Sequence, residues 1–176
     1  MTRSVAQEAL YMADSYSRMA ALLDLYRETP YSEWLALLGE HWSGCDNIGR
    51  YRLLLRQLLP KHGPVIEMMT AEELDQYHAL PDQLTVFRGC GPGNMLGASW
   101  SLSQEVAASF PLLNRYRQAE PLLVTGKVKK QSVLAVQLDR EELEIITFQA
   151  RRISVAPLVA PDQQMNPGNL GPSITR

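Results

Sequence analysis

Apolar residues recur at steps of three and four through the first third of the chain, and in short runs broken by glycine through the rest. Val5, Ala9, Met12, Tyr16, Met19, Leu23 and Tyr26 alternate steps of four and three, which aligns them on one side of a helix. Thr29 before Pro30 marks a stop and a restart, with threonine as the expected cap of a second helix and proline at its first position. Trp34, Leu37, Leu38 and Trp42 are the expected buried side of that helix. Asp46 is the expected cap of a third, which buries Tyr51, Leu54, Leu55 and Leu58 and ends at Pro60, Gly63 and Pro64. Thr70 and Glu73 have capping-box spacing and predict a short fourth helix through about Leu80.

The pattern changes at Leu80-Pro81-Asp82. Six runs read as strands: Leu84 to Phe87, Ala98 to Leu102, Leu122 to Val128, Val133 to Leu138, Leu143 to Thr147 and Ile153 to Val155. One helix interrupts them, capped by Ser103, with Val106, Ala107 and Phe110 as its apolar face. From Pro161 the chain is rich in Pro, Asn, Gly and Gln and reads as a loose tail. The expectation is an α+β fold: a helical region over 1–80 packed on a mostly antiparallel β core over 81–160, then a tail over 161–176. The link at Leu80-Pro81-Asp82 is too short for a freely moving second domain.

Composition narrows the functional classes. The chain has 176 residues, 45% hydrophobic and 20% charged, which is neither disordered nor membranous. No apolar run reaches the roughly 18–20 residues of a membrane span. Asp14, Arg18 and Asp24 interrupt what a secretory leader would need, so a cytoplasmic protein is expected. A net charge of -2 gives no global attraction to nucleic acid. Cys45 and Cys90 lie in no metal-ligand spacing, and His41, His62 and His78 are scattered; no metal is expected.

Three segments carry candidate chemistry. Val86-Phe87-Arg88-Gly89 ends a strand in an arginine and a glycine. Gly97-Ala98-Ser99-Trp100-Ser101 puts two hydroxyls on one strand face and Trp100 on the other, toward the core. Arg140-Glu141-Glu142-Leu143-Glu144-Ile145-Ile146 puts Glu142 and Glu144 on a common face as a loop enters a strand. Singly, these read as a strand-end charge, a polar strand face and a solvated charge run. In order and spacing they resemble the arginine–serine–glutamate class of mono-ADP-ribosyltransferases, the cholera-toxin-like branch with many bacterial and phage enzymes. The resemblance covers residues 84–147 and leaves the helical third without a family mark.

That resemblance implies a split β core of ADP-ribosyltransferase type, NAD as substrate and release of nicotinamide. Arg88 would hold the pyrophosphate with its planar fork. Gly89 would let the nicotinamide approach the backbone. Glu144 would stabilise the positive charge that grows on the ribose as the glycosidic bond breaks. Ser99 would orient Glu144 and the ribose, with Ser101 in the same network. Glu142 would position an acceptor guanidinium and take up its proton, which implies protein arginine as acceptor. The loop arginines Arg115 and Arg117 fall where the family has a mobile loop near the substrate. Transfer to RNA or DNA is the alternative, with Arg50, Arg52, Arg56, Arg115 and Arg117 as docking surface; against it, no outward aromatic residue interleaves with the helix arginines. Two further alternatives are an NAD glycohydrolase and a non-catalytic partner-binding module that keeps the fold. By family analogy a toxin with a cognate inhibitor is implied.

Overall fold

The computed structural model describes residues 8, 10–138 and 143–158. After a helical stretch at residues 10–12, the described residues form the helices α1 (Arg18–Leu25), α2 (Tyr31–His41), α3 (Arg52–Leu58) and α4 (Ala71–Ala79). Six strands follow, β1 (Gln83–Cys90), β2 (Ser99–Ser101), β3 (Leu122–Lys129), β4 (Ala135–Gln137), β5 (Glu144–Ile146) and β6 (Arg151–Pro157). A short α5 (Gln104–Ser109) lies between β2 and β3. The α+β class and each of the six expected strands are present. The segment 161–176, expected as a tail, lies outside the described residues.

The N-terminal seam is interrupted where the sequence predicts continuity. Residues 10–12 are helical, and the chain then turns at Asp14. The Asp14 carboxylate accepts the amides of Tyr16 and Ser17 at 3.0 and 2.7 Å and the Ser17 hydroxyl at 2.8 Å. Such local bonds compete with helix continuation. The buried set becomes Leu10, Met19, Leu22 and Leu25, while Met12 is 86% and Tyr16 61% exposed. Val5 and Ala9 lie outside the described residues. At the next junction Pro30, not Thr29, occupies the N-cap of α2, and Thr29 is buried.

Asp46 does not cap the third helix. A 3-10 turn, Ile48–Tyr51, intervenes, and Tyr51 is the N-cap of α3. Leu55 and Leu59 are buried, and Leu54 is 41% exposed. The predicted capping box does form. Thr70 Oγ1 accepts the Glu73 amide at 3.3 Å, and the Glu73 carboxylate accepts the Thr70 amide at 2.7 Å. The other oxygen of Glu73 accepts the Leu138 amide at 3.0 Å, so one carboxylate serves both the start of α4 and the end of β4. Ser103 caps α5 as expected, accepting the Val106 amide at 3.2 Å. Lys130, just after β3, donates to the carbonyls of His78 and Leu80 at 2.6 and 3.0 Å and lies over the Tyr77 ring.

The sheet order is β4-β5-β2-β1-β3-β6, and every neighbouring pair is antiparallel. One face carries Ala135 and Ile146, packed with Trp34, Leu37, Leu38 and Trp42 of the helical layer in a single cluster. The opposite face carries Val86, Trp100, Val124 and Ile145, packed with Tyr77 and Leu80. Ile145 and Ile146 thus enter opposite layers, as strand alternation requires. Full burial stabilises by about 1.5–3 kcal/mol per large aliphatic side chain, so the helical layer is held mainly by this shared core.

β1 pairs with β3 over its full length, from Gln83↔Lys129 to Cys90↔Leu122. With β2 it shares one register pair, Phe87↔Ser101. The sheet is therefore two three-stranded ladders joined at a point, and they part on the side where the candidate residues lie. Among the described residues no helix is long and apolar enough to cross a membrane.

Candidate active site

The parting of β1 and β2 opens a cleft of about 830 Å³, with Arg88, Gly89, Ser99, Ser101 and Glu144 all in its lining. Arg88 is the last polar side chain of β1. Its guanidinium donates to the Ser99 carbonyl at 2.6 Å and to the Asn94 carbonyl at 3.1 Å. Asn94 in turn accepts the Gly91 amide on its side-chain oxygen at 2.8 Å, folding the loop between the strands. Burial draws the Arg88 pKa down from its ordinary value, against the opposing pull of Cys90 and Glu144. A guanidinium remains charged under such a shift. Gly97 makes room for this arrangement, because a Cβ there would lie 2.1 Å from Arg88 Cζ.

Glu144 opens β5 directly opposite Ser101, with Ser99 one pleat along against Ile146. Directly opposed residues in an antiparallel pair project to the same side. Ser99, Ser101 and Glu144 therefore share the face covered by the helical layer. From that layer Trp42, in the 3-10 turn after α2, sends its indole Nε1 to both Glu144 Oε1 at 3.0 Å and Ser99 Oγ at 3.2 Å. The sequence marks Trp42 only as core. It is fully buried, and a buried indole N–H needs an acceptor. That need was legible, but the acceptors, some 57 and 102 residues away, were not. Arg88, Trp42 and Glu144 are thus linked through Ser99, whose backbone carbonyl accepts from Arg88 and whose hydroxyl shares the Trp42 indole with Glu144.

Ser101 is buried and accepts the Ser103 amide at 2.9 Å, which ties β2 to the start of α5. Gly89 lines the cleft, and the contact that demands glycine there is internal. A Cβ would fall 1.8 Å from the Ala107 carbonyl oxygen and 2.5 Å from Pro111 Cδ. α5 can pack on β1 only because Gly89 has no side chain. Trp100 faces the core, as the alternation predicts, and its indole donates to the Gly97 carbonyl at 3.1 Å. Glu142 lies outside the described residues, as do Arg140 and Glu141.

The cleft mouth lies between the helical layer and the 3-10 turn Asn114–Tyr116. Asp46 joins the two. It accepts the Ser15 hydroxyl at 2.6 Å, the Arg115 Nε at 2.9 Å and the Tyr116 hydroxyl at 3.2 Å, and forms an ion pair with Arg115 Nη2. Burial pushes the Asp46 carboxyl up, but Ser15, Arg115 and Tyr116 outweigh it and hold its pKa below the ordinary value. Arg50, Arg52 and Arg117 also line the cleft, and Arg56 does not. His41 is half-buried at the end of α2, and burial lowers its pKa; His62 and His78 are exposed.

With its connected Arg88, Ser99 and Glu144, the cleft can offer a planar cation, a hydroxyl and a carboxylate to one ligand. Comparison of the chain with protein-family models, with curated proteins and with solved structures finds no match.

Proposed function

We propose that this protein is an NAD-dependent ADP-ribosyltransferase that moves ADP-ribose from NAD to a macromolecular acceptor and releases nicotinamide. The observation that carries this reading is the hydrogen-bonded set Arg88–Ser99–Trp42–Glu144 in one cleft. Three motifs separated along the chain converge there, in the order that resembles the arginine–serine–glutamate class. The two ladders parted beside the cleft fit the split core that the resemblance implies. A cleft of about 830 Å³ falls within the usual range for ligand pockets.

The residues fit the chemistry. Arg88 presents a bidentate donor to phosphate oxygens, since two carbonyls leave part of its fork free. Glu144 holds a fixed negative charge for the cation that forms at the ribose C1′, and the Trp42 indole, which it shares as donor with the Ser99 hydroxyl, fixes its orientation beforehand. The fully buried Trp42 beside Glu144 lowers the polarity on that side of the cleft, which strengthens that electrostatic effect.

The test is release of nicotinamide and covalent labelling from NAD labelled in the adenosine half. Glu144→Gln keeps the shape and removes the charge, and should lower both by about 10²–10³-fold with folding intact. Activity within a few-fold of wild type would remove Glu144 from the role. No nicotinamide release by the wild-type protein, with any acceptor, would end the transferase reading.

A further inference from the structure

The charges around the cleft are unequal. Among its described lining residues, five are arginines (Arg50, Arg52, Arg88, Arg115 and Arg117) and two are acids (Asp46 and Glu144). Asp46 is already paired with Arg115, and Glu144 already accepts from Trp42. Arg88 is bound to backbone carbonyls on the cleft floor. Arg50, Arg52 and Arg117 have no carboxylate within ion-pair distance among the described residues. The Nε of Arg52 is buried without a hydrogen-bond partner, a donor left unsatisfied beside the cleft. A buried donor of this kind is destabilising unless something accepts from it.

Aromatic rings lie among these cations. Tyr16, which the sequence places in the core, lines the mouth with 61% of its surface exposed. Tyr51 carries the Arg50 guanidinium 5.9 Å from its ring centre, and Tyr116 carries that of Arg115 at 5.5 Å. Arginines without a carboxylate partner among the described residues, set beside the exposed ring of Tyr16 and the partly exposed ring of Tyr116, are the combination that holds a single-stranded nucleic acid: cations track phosphates, and rings stack bases. The same mouth suits an arginine acceptor poorly. A guanidinium arriving there would meet the like charges of Arg50, Arg52 and Arg117.

We infer that Arg50, Arg52, Arg117 and Tyr16 form a docking site for a single-stranded nucleic acid, and that this strand accepts the ADP-ribosyl group; the second half rests on the transferase reading. In the transfer the bond from ribose C1′ to the nicotinamide nitrogen breaks, and nicotinamide leaves neutral with the electron pair. A lone pair on an N–H or O–H group of the strand forms the new bond to C1′, and its proton passes to solvent. No oxidant or reductant is needed. A single strand is favoured over a duplex because a paired base must first be flipped out of the stack to present its nucleophile to a cleft.

The experiment has a binding arm and a transfer arm. In the first, a fluorescent single-stranded 20-mer of mixed sequence, as RNA and as DNA, is titrated with the full chain by anisotropy. The wild-type protein should bind at least one of the two. The triple variant Arg50→Gln/Arg52→Gln/Arg117→Gln should lose most of the affinity and flatten the log–log salt dependence by about 2 units. No binding by the wild type, or equal binding by the triple variant, overturns the docking site whether or not the protein turns over NAD. In the second arm, labelled NAD is offered with the same 20-mer, its duplex, agmatine and nuclease-treated extract protein. Label on the single strand, at least tenfold weaker with the triple variant while nicotinamide release in water stays within about threefold, is the expected result. Label confined to agmatine or protein overturns the acceptor while leaving the transferase reading intact. An equal fall in nicotinamide release assigns the three arginines to NAD and overturns the inference.

Discussion

The indole Nε1 of Trp42 lies 3.0 Å from Glu144 Oε1, so a residue of the helical layer holds the carboxylate that opens β5. A hydrogen bond to a charged group contributes about 1.5–3 kcal/mol. Trp42→Phe removes the donor and keeps a ring. On the transferase reading, kcat should fall about 10-fold or more with KM for NAD little changed, since the bond orients the charge rather than the phosphates. A parallel rise in KM would show that Trp42 merely shapes the cleft.

Arg88 and Gly97 are linked through space. Gly97→Ala would drive a methyl group into the guanidinium, where Cβ and Cζ would be 2.1 Å apart. Arg88→Lys loses the fork that serves Asn94 and Ser99. Both variants should bind NAD substantially more weakly by calorimetry. Unchanged affinity in both would leave the phosphates to another group. Gly89→Ala should behave differently. Its Cβ meets the backbone of α5, so overpacking of about 1–3 kcal/mol or more should appear as lost stability in denaturant titration.

The Asp46–Arg115 clasp should respond to acid. The Asp46 carboxyl titrates below its ordinary value of 3.8 in the folded protein. A depressed carboxyl pKa contributes stability above the unfolded value, and that contribution is lost as pH falls through the folded one. The clasp is therefore intact at neutral pH and opens only below about pH 4. Asp46→Asn should open it at pH 7. Hydrogen exchange over residues 113–118 reads this directly: faster exchange in the variant at pH 7, with the difference shrinking only as the pH falls below the ordinary carboxylate value. Identical exchange at pH 7 would mean that the turn is held by other contacts.

Cys45 should be inert in the native state. Burial pushes its thiol up to about 11, and its sulfur donates to the His41 carbonyl. Because the thiolate is the reactive form, alkylation by iodoacetamide at pH 7.5 should run about 100-fold slower than for a free thiol. Full reactivity on unfolding in guanidinium is the control. Rapid native labelling would show that the α2 end opens readily.

The helical layer and sheet should unfold together. Trp34, Leu37 and Leu38 share a cluster with Ala135 and Ile146, so the layer has no separate core. A single transition with coincident far-UV and tryptophan signals is expected. Two separated transitions would overturn that.

What the sequence made legible follows from the range of the forces involved. Thr70 with Glu73, and Ser103 with Val106, act over three residues, and both caps form as their spacing predicts. Strand alternation sends Trp100 to one face and Ser99 to the other. Asp14 and Asp46 were harder. An aspartate can end a helix, cap one or bind a distant cation, and only the fold selects among these. Asp46 serves Arg115, some 69 positions later, rather than the helix beside it. Tyr16 fits the helical period, and the turn at Asp14 rotates it out of the core. Among the site residues, Arg88, Ser99 and Glu144 announce themselves by motif, while Trp42 resembles any other buried aromatic until its acceptors are in place.

The lone register pair Phe87↔Ser101 makes the middle of the sheet its most compliant seam. Arg88 belongs to one bank of that seam, and Ser99 and Glu144 to the other. A molecule gripping both banks would act as a rivet, coupling two half-sheets that the backbone joins at one point. Occupancy should then be read far from the cleft, as slower exchange of β3 and β4 amides on opposite edges of the joint. In this sheet the weakest stitch and the candidate cleft coincide, so filling one would reinforce the other.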